Sequence, residues 1–481
     1  MTTLQQKATS AAKWSALDVF LRQGVQLAVT VVLARILAPE DFGVIAMLAL
    51  FIGAASIFID SGFSSALIQR QHVTHTDEST VFFFNLGMGS VTALLLCAAA
   101  PWIASYFKQP VLQYLTYAMA FNLFVGAFGS IHATLLNKEL NFRTTAKVGA
   151  VSSIVAGTAA IYMAIQGYGV WSLAANSVAS AIVTVLLLWL WHPWRPARSF
   201  SFASLRSFFR FGGYEMAAGL LDVLSTNLYL ILIGKLYSVR DVGFYDRAQR
   251  TQQLPITLMM GIINRVAFST FASVKEDKVR LVRGLRQAQA IAMFVNLPVM
   301  LCVIILAEPL VVTMFGAKWL PIVPILQVLG LGGLLWPLHV LNLNILRAQG
   351  RSDLFFRITM IKKVFTISMT VVASFYGIMA IAWMQVVISF LGYFVNTHYT
   401  KIFLDYGGWK QLSDLGVNFM SVMPMVIAAY FVNDMMQVAP IVKLIAASII
   451  GCGVYLLTCR MLCAGVLNEC LRMVGLRKRT A

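Results

Sequence analysis

Residues 147–191 read KVGAVSSIVAGTAAIYMAIQGYGVWSLAANSVASAIVTVLLLWLW and are mostly apolar. After Lys147 this stretch contains no charged side chain, and Gln166-Gly167-Tyr168-Gly169 divides it into two apolar runs. Each run, 147–166 and 169–191, has the roughly 20 apolar residues that a helix needs to cross a bilayer. The stretch therefore predicts two transmembrane helices that are joined by a tight turn.

The same pattern extends along the whole chain. Of its 481 residues, 59% are hydrophobic and 12% are charged, whereas soluble domains contain about 25% charged residues. Fourteen apolar segments follow one another, at 16–37, 43–68, 80–104, 111–135, 147–166, 169–191, 212–234, 242–272, 288–315, 321–346, 357–375, 377–400, 416–432 and 440–463. We predict an all-α integral membrane protein of about fourteen transmembrane helices with short loops. Since no P-loop, HExxH or GxSxG motif is present, we expect no enzyme activity, no cofactor and no metal.

Basic residues set the orientation of these helices. The net charge of +18 would suggest nucleic acid in a soluble protein, but cytoplasmic loops of membrane proteins are rich in Lys and Arg. The loops after even-numbered helices contain most of them, including Arg70, Lys138, Arg143, Arg195, Arg283, Arg347, Lys362, Lys363 and Lys410. The loops after odd-numbered helices contain only Arg35, Lys108, Lys235, Arg240, Lys318 and Lys443. We therefore predict cytoplasmic termini, including the tail Arg477-Lys478-Arg479, and no binding of nucleic acid.

A weak internal repeat divides the helices into two halves. At an offset of 200 residues, Arg35 matches Lys235, Asp41 matches Asp241, and Gly43 matches Gly243. We predict a bundle of helices 1–6 (1–194), a bundle of helices 7–12 (195–403), and an extra helix pair with a basic cytoplasmic tail (404–481). Six helices per half make the repeat parallel, and transporters of this kind alternate the access to a cavity between the bundles.

Charged residues within predicted helices are candidates for function, because a charge at membrane depth costs several kcal/mol unless it faces a partner or a cavity. Predicted helix 1 contains Asp18 and Arg22, one turn apart, and helix 7 contains Asp222. Helix 8 contains Arg247 and Arg250 on one face, before Pro255. The sequence alone leaves two other interpretations open: Asp18 and Arg22 form a neutralising pair, and Arg247 reaches the outer membrane interface.

The planar guanidinium group binds phosphate oxygens in pairs. We therefore predict that Arg22, Arg247 and Arg250 bind an anionic head group such as a diphosphate. Asp18 and Asp222 are the candidates for coupling transport to H⁺ or Na⁺. These assignments predict a central cationic cavity between the two bundles.

The chain resembles the Wzx-type polysaccharide flippases, and within them the colanic-acid exporter subgroup. The matching stretches span most of the chain: Ala12-Lys13-Trp14-Ser15, Val32–Leu37 with Asp41-Phe42-Gly43, Asp60-x-Gly62 with Ile68-Gln69-Arg70, Asn137-Lys138-Glu139-Leu140 with Phe142, Arg210-Phe211-Gly212, Phe315-Gly316-x-Lys318-Trp319, and Pro324-Ile325-Leu326-Gln327. The resemblance implies a MATE-like fold of two six-helix bundles. In related peptidoglycan-precursor flippases, arginines of helices 1, 2 and 8 line the cavity. Arg22, Arg247 and Arg250 lie on helices 1 and 8, while helix 2 has no arginine.

The function implied by this resemblance is the translocation of undecaprenyl-diphosphate-linked oligosaccharide units. The units would cross the bacterial inner membrane for exopolysaccharide, capsule or O-antigen (lipopolysaccharide) assembly. The implied partners are this substrate, membrane lipids, and the polymerase and chain-length or export machinery of the pathway. One alternative is a MATE-type cation-coupled multidrug exporter, although the basic residues of helix 8 do not suit cationic drugs. A membrane enzyme acting on lipid-linked sugars is a second alternative, but the short outer loops leave little room for catalytic groups.

Overall fold

The computed structural model describes residues 2–70, 72–273, 277–349 and 351–473, and the statements below concern these residues. Their secondary structure is helical, which confirms the predicted all-α class. The basic tail at 477–479 lies outside the described residues. The chain separates into two compact units, residues 1–243 and 244–481. The division predicted from the repeat, at 194 and 403, stays a prediction.

The first unit contains nine helices and the start of a tenth. They are α1 (Thr2–Ile36), α2 (Pro39–Met47), α3 (Ala49–Asp60), α4 (Phe63–Gln69), α5 (His75–Phe107), α6 (Val111–Lys138), α7 (Phe142–Ile165), α8 (Val170–Trp191), α9 (Phe202–Leu236) and α10 (Val239–Ser273). Within the unit, α7 packs against both α1 and α8, and α6 packs against α5 and α8.

The second unit contains the rest of α10 and the helices that follow it. They are α11 (Lys278–Ile305), α12 (Ala307–Phe315), a 3₁₀ turn (Ala317–Trp319), α13 (Ile322–Gly333), α14 (Trp336–Ala348), α15 (Ser352–Ser374), α16 (Ile378–Leu404), α17 (Gly408–Asp414), α18 (Gly416–Met435), α19 (Pro440–Leu462) and α20 (Ala464–Met473). Here α16 packs against α13, α14 and α15, and α11 packs against α18.

Twelve spans in the described residues are long and apolar enough to cross a membrane. The chain is therefore a multi-pass membrane protein, and the count of about fourteen is approximate. Predicted helices 8 and 11 are present as α10 and α15, yet neither is among the twelve. Both contain several charged side chains, so neither is as apolar as the twelve spans.

The predicted tight turn at 166–169 is confirmed, whereas some predicted helices are interrupted. The turn between α7 and α8 uses Gly167 and Gly169, both with positive φ. Predicted helix 2 (43–68) is instead divided into α2, α3 and α4. Ser61 and Gly62 separate the last two, with φ of 47° and 71°. The left-handed backbone at these two residues ends α3, because a right-handed helix cannot continue through it.

Two glycines of the repeat meet inside the first unit. A Cβ atom on Gly43 would lie 1.9 Å from the carbonyl oxygen of Val239, and one on Gly243 would lie 2.1 Å from that of Pro39. These contacts are related by the same offset of 200 residues. The starts of α2 and α10 therefore cross backbone to backbone, which only glycine permits at these positions.

The side chains around this crossing repeat as well. Asp41 accepts a hydrogen bond from the backbone N–H of Ala38 (3.0 Å), and Asp241 accepts one from that of Ser238 (3.2 Å). Each carboxylate occupies the third position of its helix, where it satisfies a backbone donor that the helix leaves unpaired. Arg240 pairs with Glu40, Nε to Oε1, at 3.3 Å.

The C-terminal helix pair is anchored to α11 by hydrogen bonds. The hydroxyl of Tyr455 on α19 donates to the carbonyl oxygen of Phe294 (2.7 Å), and the amide of Asn418 on α18 donates to that of Ala290 (2.9 Å). Thr458 links α19 to α18 by donating to the carbonyl oxygen of Ser421 (2.8 Å). These bonds join α18 and α19 to the second unit.

A buried polar network holds the short helix α17. Gln411 accepts hydrogen bonds from the amides of Gln289 (2.8 Å) and Asn342 (3.0 Å), and it donates to Asn342 Oδ1 (2.9 Å) and to the carbonyl oxygen of Tyr406 (3.0 Å). Thr400 donates to the same Asn342 oxygen at 2.8 Å. The network therefore connects α11, α14, α16 and α17 at one buried point.

Candidate functional site

The two charged residues of α1 form an ion pair. Arg22 Nη2 lies 3.1 Å from Asp18 Oδ1 and 3.3 Å from Oδ2. Of the two side chains, that of Arg22 is 45% exposed and that of Asp18 is 15% exposed. The pair neutralises both charges, which is the alternative that the sequence left open for Asp18 and Arg22. It also leaves guanidinium N–H groups of Arg22 free to meet a further acceptor, because guanidinium has five donors.

Arg22 lines a cavity of about 360 Å³ inside the first unit. Its guanidinium packs over Gly149 of α7, where a Cβ atom would lie 2.6 Å from Nη2. The other polar side chains of the lining come from α1, α7 and α8: Gln26, Thr145, Ser152, Ser153, Asn176, Ser177, Ser180 and Thr184. Within the described residues, the lining contains one cation and no carboxylate.

This lining is suited to a polar ligand with many hydroxyl groups. Hydroxyl and amide side chains both donate and accept hydrogen bonds, as sugar hydroxyls do. Arg22 adds a donor fork that fits a phosphate. Cavities of roughly 300–1,000 Å³ are the usual size of small-molecule sites. The cavity is therefore large enough for part of a glycosyl phosphate.

Arg247 lies in the second unit among aromatic rings. Its side chain is buried, with 6% of the residue exposed. The guanidinium carbon is 5.6 Å from the ring centre of Phe315 and 5.8 Å from that of Trp319. Both rings belong to the FGAKW stretch at 315–319. Arg247 thus packs against Phe315 and Trp319 by cation–π contacts within the second unit.

Arg250 and Asp246 form a second ion pair on α10. The distance from Arg250 Nε to Asp246 Oδ2 is 2.7 Å, and 57% of the Arg250 side chain is exposed. Asp222, the other predicted ion-coupling residue, is exposed on α9. Of the three predicted diphosphate ligands, Arg22 lies in the first unit, and Arg247 and Arg250 lie in the second. Their joint role in one site remains a prediction.

Sequence reasoning missed the contacts that one charged helix residue makes. We counted Lys362 among the cytoplasmic loop residues, but the structure places it in the middle of α15, bonded to Asn396 of α16. The available signal was the predicted helix at 357–375, which already included Lys362. Its polar partners lie on other helices, and a single sequence gave no indication that they meet.

Comparison with known proteins places the chain in a family. A family model described as polysaccharide biosynthesis protein matches residues 32–324. The chain belongs to this family. Two relatives are the lipopolysaccharide biosynthesis protein WzxC of Escherichia coli (strain K12) and the succinoglycan biosynthesis transport protein ExoT of Rhizobium meliloti (strain 1021). WzxC is 27% identical over 406 residues, covering 82% of this chain and 81% of WzxC. ExoT is 26% identical over 385 residues, covering 79% of this chain and 78% of ExoT.

Solved structures show the same fold in transporters. The lipid II flippase MurJ in an inward closed conformation matches with a TM-score of 0.77 and 15% identity, over 93% of this chain and 98% of MurJ. An inward-facing multidrug resistance MATE transporter matches with a TM-score of 0.64 and 16% identity, over 81% of this chain and 98% of the transporter. These findings confirm the resemblance to Wzx-type proteins and the MATE-like fold of this polysaccharide biosynthesis family member.

Proposed function

We propose that this family member is a flippase for oligosaccharides linked to polyprenyl diphosphate. It would move them from the cytoplasmic to the periplasmic leaflet of a bacterial inner membrane, with both termini in the cytoplasm. The polymer would be an exopolysaccharide, a capsule or an O-antigen. The observation that carries the proposal is the hydroxyl-rich cavity with Arg22, situated within a fold of membrane-spanning helices.

The arrangement of Arg22 and Asp18 suggests how the cavity engages a diphosphate. Arg22 keeps part of its side chain exposed while Asp18 holds one edge of the guanidinium. A phosphate that binds the remaining donors would gain charge-assisted hydrogen bonds, and the sugars would bind the hydroxyl and amide lining. The polyprenyl tail would stay in lipid. Arg250, exposed beside Asp246, is the second proposed ligand, and Arg247 supports the helix on which it lies.

Transport then requires that the bundles expose the ligand to one face at a time. We propose that Asp18 or Asp222 couples this change to H⁺ or Na⁺. Phosphate binding by Arg22 would weaken the ion pair with Asp18, so that the carboxylate becomes available to a cation. The polymerase and export machinery of the same pathway are the proposed partners that receive the product.

The alternative of a cationic-drug exporter shares the fold but not the lining. A cationic drug needs acidic or aromatic groups, whereas the described lining of this cavity offers Arg22 and neutral polar side chains. A deletion strain with unchanged polymer output and increased drug sensitivity would favour the exporter over the flippase.

The proposed role of Arg22 predicts a strong loss of function on substitution. Arg22→Ala in a polymer-deficient deletion strain is expected to reduce polymer output about tenfold or more, because a hydrogen bond to a charged group contributes about 1.5–3 kcal/mol. The measurement is polymer per cell, with the protein level in the membrane checked by immunoblot. Arg206→Ala, in the exposed first turns of α9, is the matched control and should keep full output. Full output from Arg22→Ala would exclude Arg22 from substrate binding.

A further inference from the structure

A chain of polar side chains crosses α14, α15 and α16 within the second unit. Lys362 Nζ lies 3.3 Å from Asn396 Oδ1, and Asn396 Nδ2 lies 3.0 Å from His339 Nδ1. On the other side of the ring, His339 Nε2 lies 3.4 Å from the hydroxyl of Ser389, which donates to the carbonyl oxygen of Gly332 at 2.8 Å. The chain thus connects an ammonium group to an imidazole through one amide.

The chemistry of these groups fixes the direction of the hydrogen bonds. An ammonium group has donors only, so the oxygen of Asn396 must face Lys362. The amide nitrogen then faces His339 Nδ1, which must accept and therefore has no proton. His339 is consequently neutral in this arrangement, with its proton on Nε2. Since an amide has a single carbonyl oxygen, it accepts from Lys362 or from a protonated His339, but not from both in the same geometry.

On α11, α13, α14 and α16 no carboxylate balances the charge of Lys362, and on α15 Asp353 precedes Lys362 by nine residues, about 13 Å along the helix. The sequence contains no Asp or Glu at 278–307, 309–352 or 354–404, which includes α11, α13, α14 and α16. Other titratable side chains near Lys362, Asn396 and His339 are Lys363 on α15 and Tyr393, His398 and Tyr399 on α16. Membrane proteins rarely keep an ammonium without a counter-charge inside the membrane, where the sequence places the predicted helix at 357–375. Loss of its proton is the change that relieves the cost.

The packing around Lys362 leaves it room to respond. A Cβ atom on Gly392 would lie 3.3 Å from Lys362 Cε and 3.5 Å from His339 Cε1, so glycine allows both side chains to pack over α16. Beside Lys362, a cavity of about 580 Å³ lies between α15 and α16 and has mostly apolar walls, including Phe365 and Leu391. The flexible lysine side chain can withdraw into this space once it is neutral.

We propose that Lys362, Asn396 and His339 form a proton-binding site that takes up and releases one proton in each transport cycle. The inference rests on the proposed transport function and makes this site, rather than Asp18 or Asp222, the one that binds H⁺. On release, the ammonium of Lys362 loses H⁺ to water and becomes a neutral amine. The amide of Asn396 can then rotate, so that its oxygen accepts from neutral His339 once the imidazole has exchanged its proton from Nε2 to Nδ1. The site thus changes from one positive charge to none, and uptake of H⁺ from water restores the ammonium and completes the cycle.

The test uses everted membrane vesicles that contain the full chain and the lipid-linked oligosaccharides of the host strain. Translocation protects the sugars from periodate added outside, and the protected-to-exposed ratio is measured with an acidic lumen or with nigericin. For one proton per cycle, a gradient of about one pH unit is expected to raise this ratio about tenfold in the wild type. The key variant is Lys362→Arg, which keeps the charge but cannot release a proton at physiological pH.

We expect Lys362→Arg to lose the response to the gradient, and Lys362→Met and His339→Gln to lose it as well. Lys363→Arg is the matched control and should respond as the wild type does. A wild-type response in Lys362→Arg would overturn the inference, because a residue needed only for its charge tolerates arginine. If wild-type vesicles protect no more sugar than vesicles without the protein, the proposed function is overturned and the inference with it. Protein levels in the vesicles are compared for every variant.

Discussion

Replacing Gly43 by alanine is expected to abolish polymer output. The added Cβ atom would overlap the carbonyl oxygen of Val239, which lies 1.9 Å from its position, and the carbonyl carbon at 2.9 Å. Both are backbone atoms, so no change of rotamer relieves the overlap. Overpacking in a well-packed interior typically costs about 1–3 kcal/mol and more where the backbone must shift. The starts of α2 and α10 would have to separate.

Two measurements distinguish loss of folding from loss of transport in this variant. Polymer output in the deletion strain reports function, and elution of the detergent-solubilised protein from a sizing column reports folding. Gly126→Ala is the matched control, because no atom beyond its own helix lies within 4 Å of the added Cβ. Gly243→Ala should reproduce the loss, since its Cβ would lie 2.1 Å from the carbonyl oxygen of Pro39. Normal output from either variant would contradict the close crossing.

The second large effect is expected from Gln411→Leu, which removes four hydrogen bonds at one buried point. The amides of Gln289 and Asn342 and the carbonyl oxygen of Tyr406 would then lack these partners. A buried polar group left without a partner costs about 1–3 kcal/mol, so the total loss of stability should exceed about 3 kcal/mol. We expect a clear decrease in the temperature at which the purified protein loses its monodisperse elution.

The control for this variant is another glutamine. Gln69→Leu, at the exposed end of α4, should change the same temperature little, because exposed substitutions usually alter stability by less than about 0.5 kcal/mol. Equal temperature shifts in the two variants would show that the network around Gln411 does not stabilise α17.

The sequence predicted the apolar helices well because their signal is local. The final pair, expected at 416–432 and 440–463, is observed as α18 (Gly416–Met435) and α19 (Pro440–Leu462). The breaks at Ser61 and between α13 and α14 were missed. A membrane-spanning segment can be interrupted where neighbouring protein satisfies the backbone, and neither hydropathy nor length reveals such support.

The candidate site was predicted only in part, for a similar reason. Asp18, Arg22 and Arg250 were selected because each is a charge within an apolar run, and Arg22 lines the cavity, whereas the roles assigned to all three stay predictions. The polar lining around Arg22 and the chain from Lys362 to His339 depend on contacts between separate helices. Serine, threonine and asparagine are common in membrane helices, so no single one of them indicated a cavity.

The crossing of α2 and α10 bears on the ancestry of the chain. Position 43 touches position 243, and each would meet the carbonyl of the other's helix start, at 239 and 39. Such reciprocity is the property of an isologous contact, in which one surface patch binds a second copy of itself. If the two predicted halves arose by duplication and fusion of one gene, the same glycine faced its own copy across the twofold axis of a homodimer. A substitution at this position would then have changed both copies in the interface at once. The present chain has glycine at both 43 and 243.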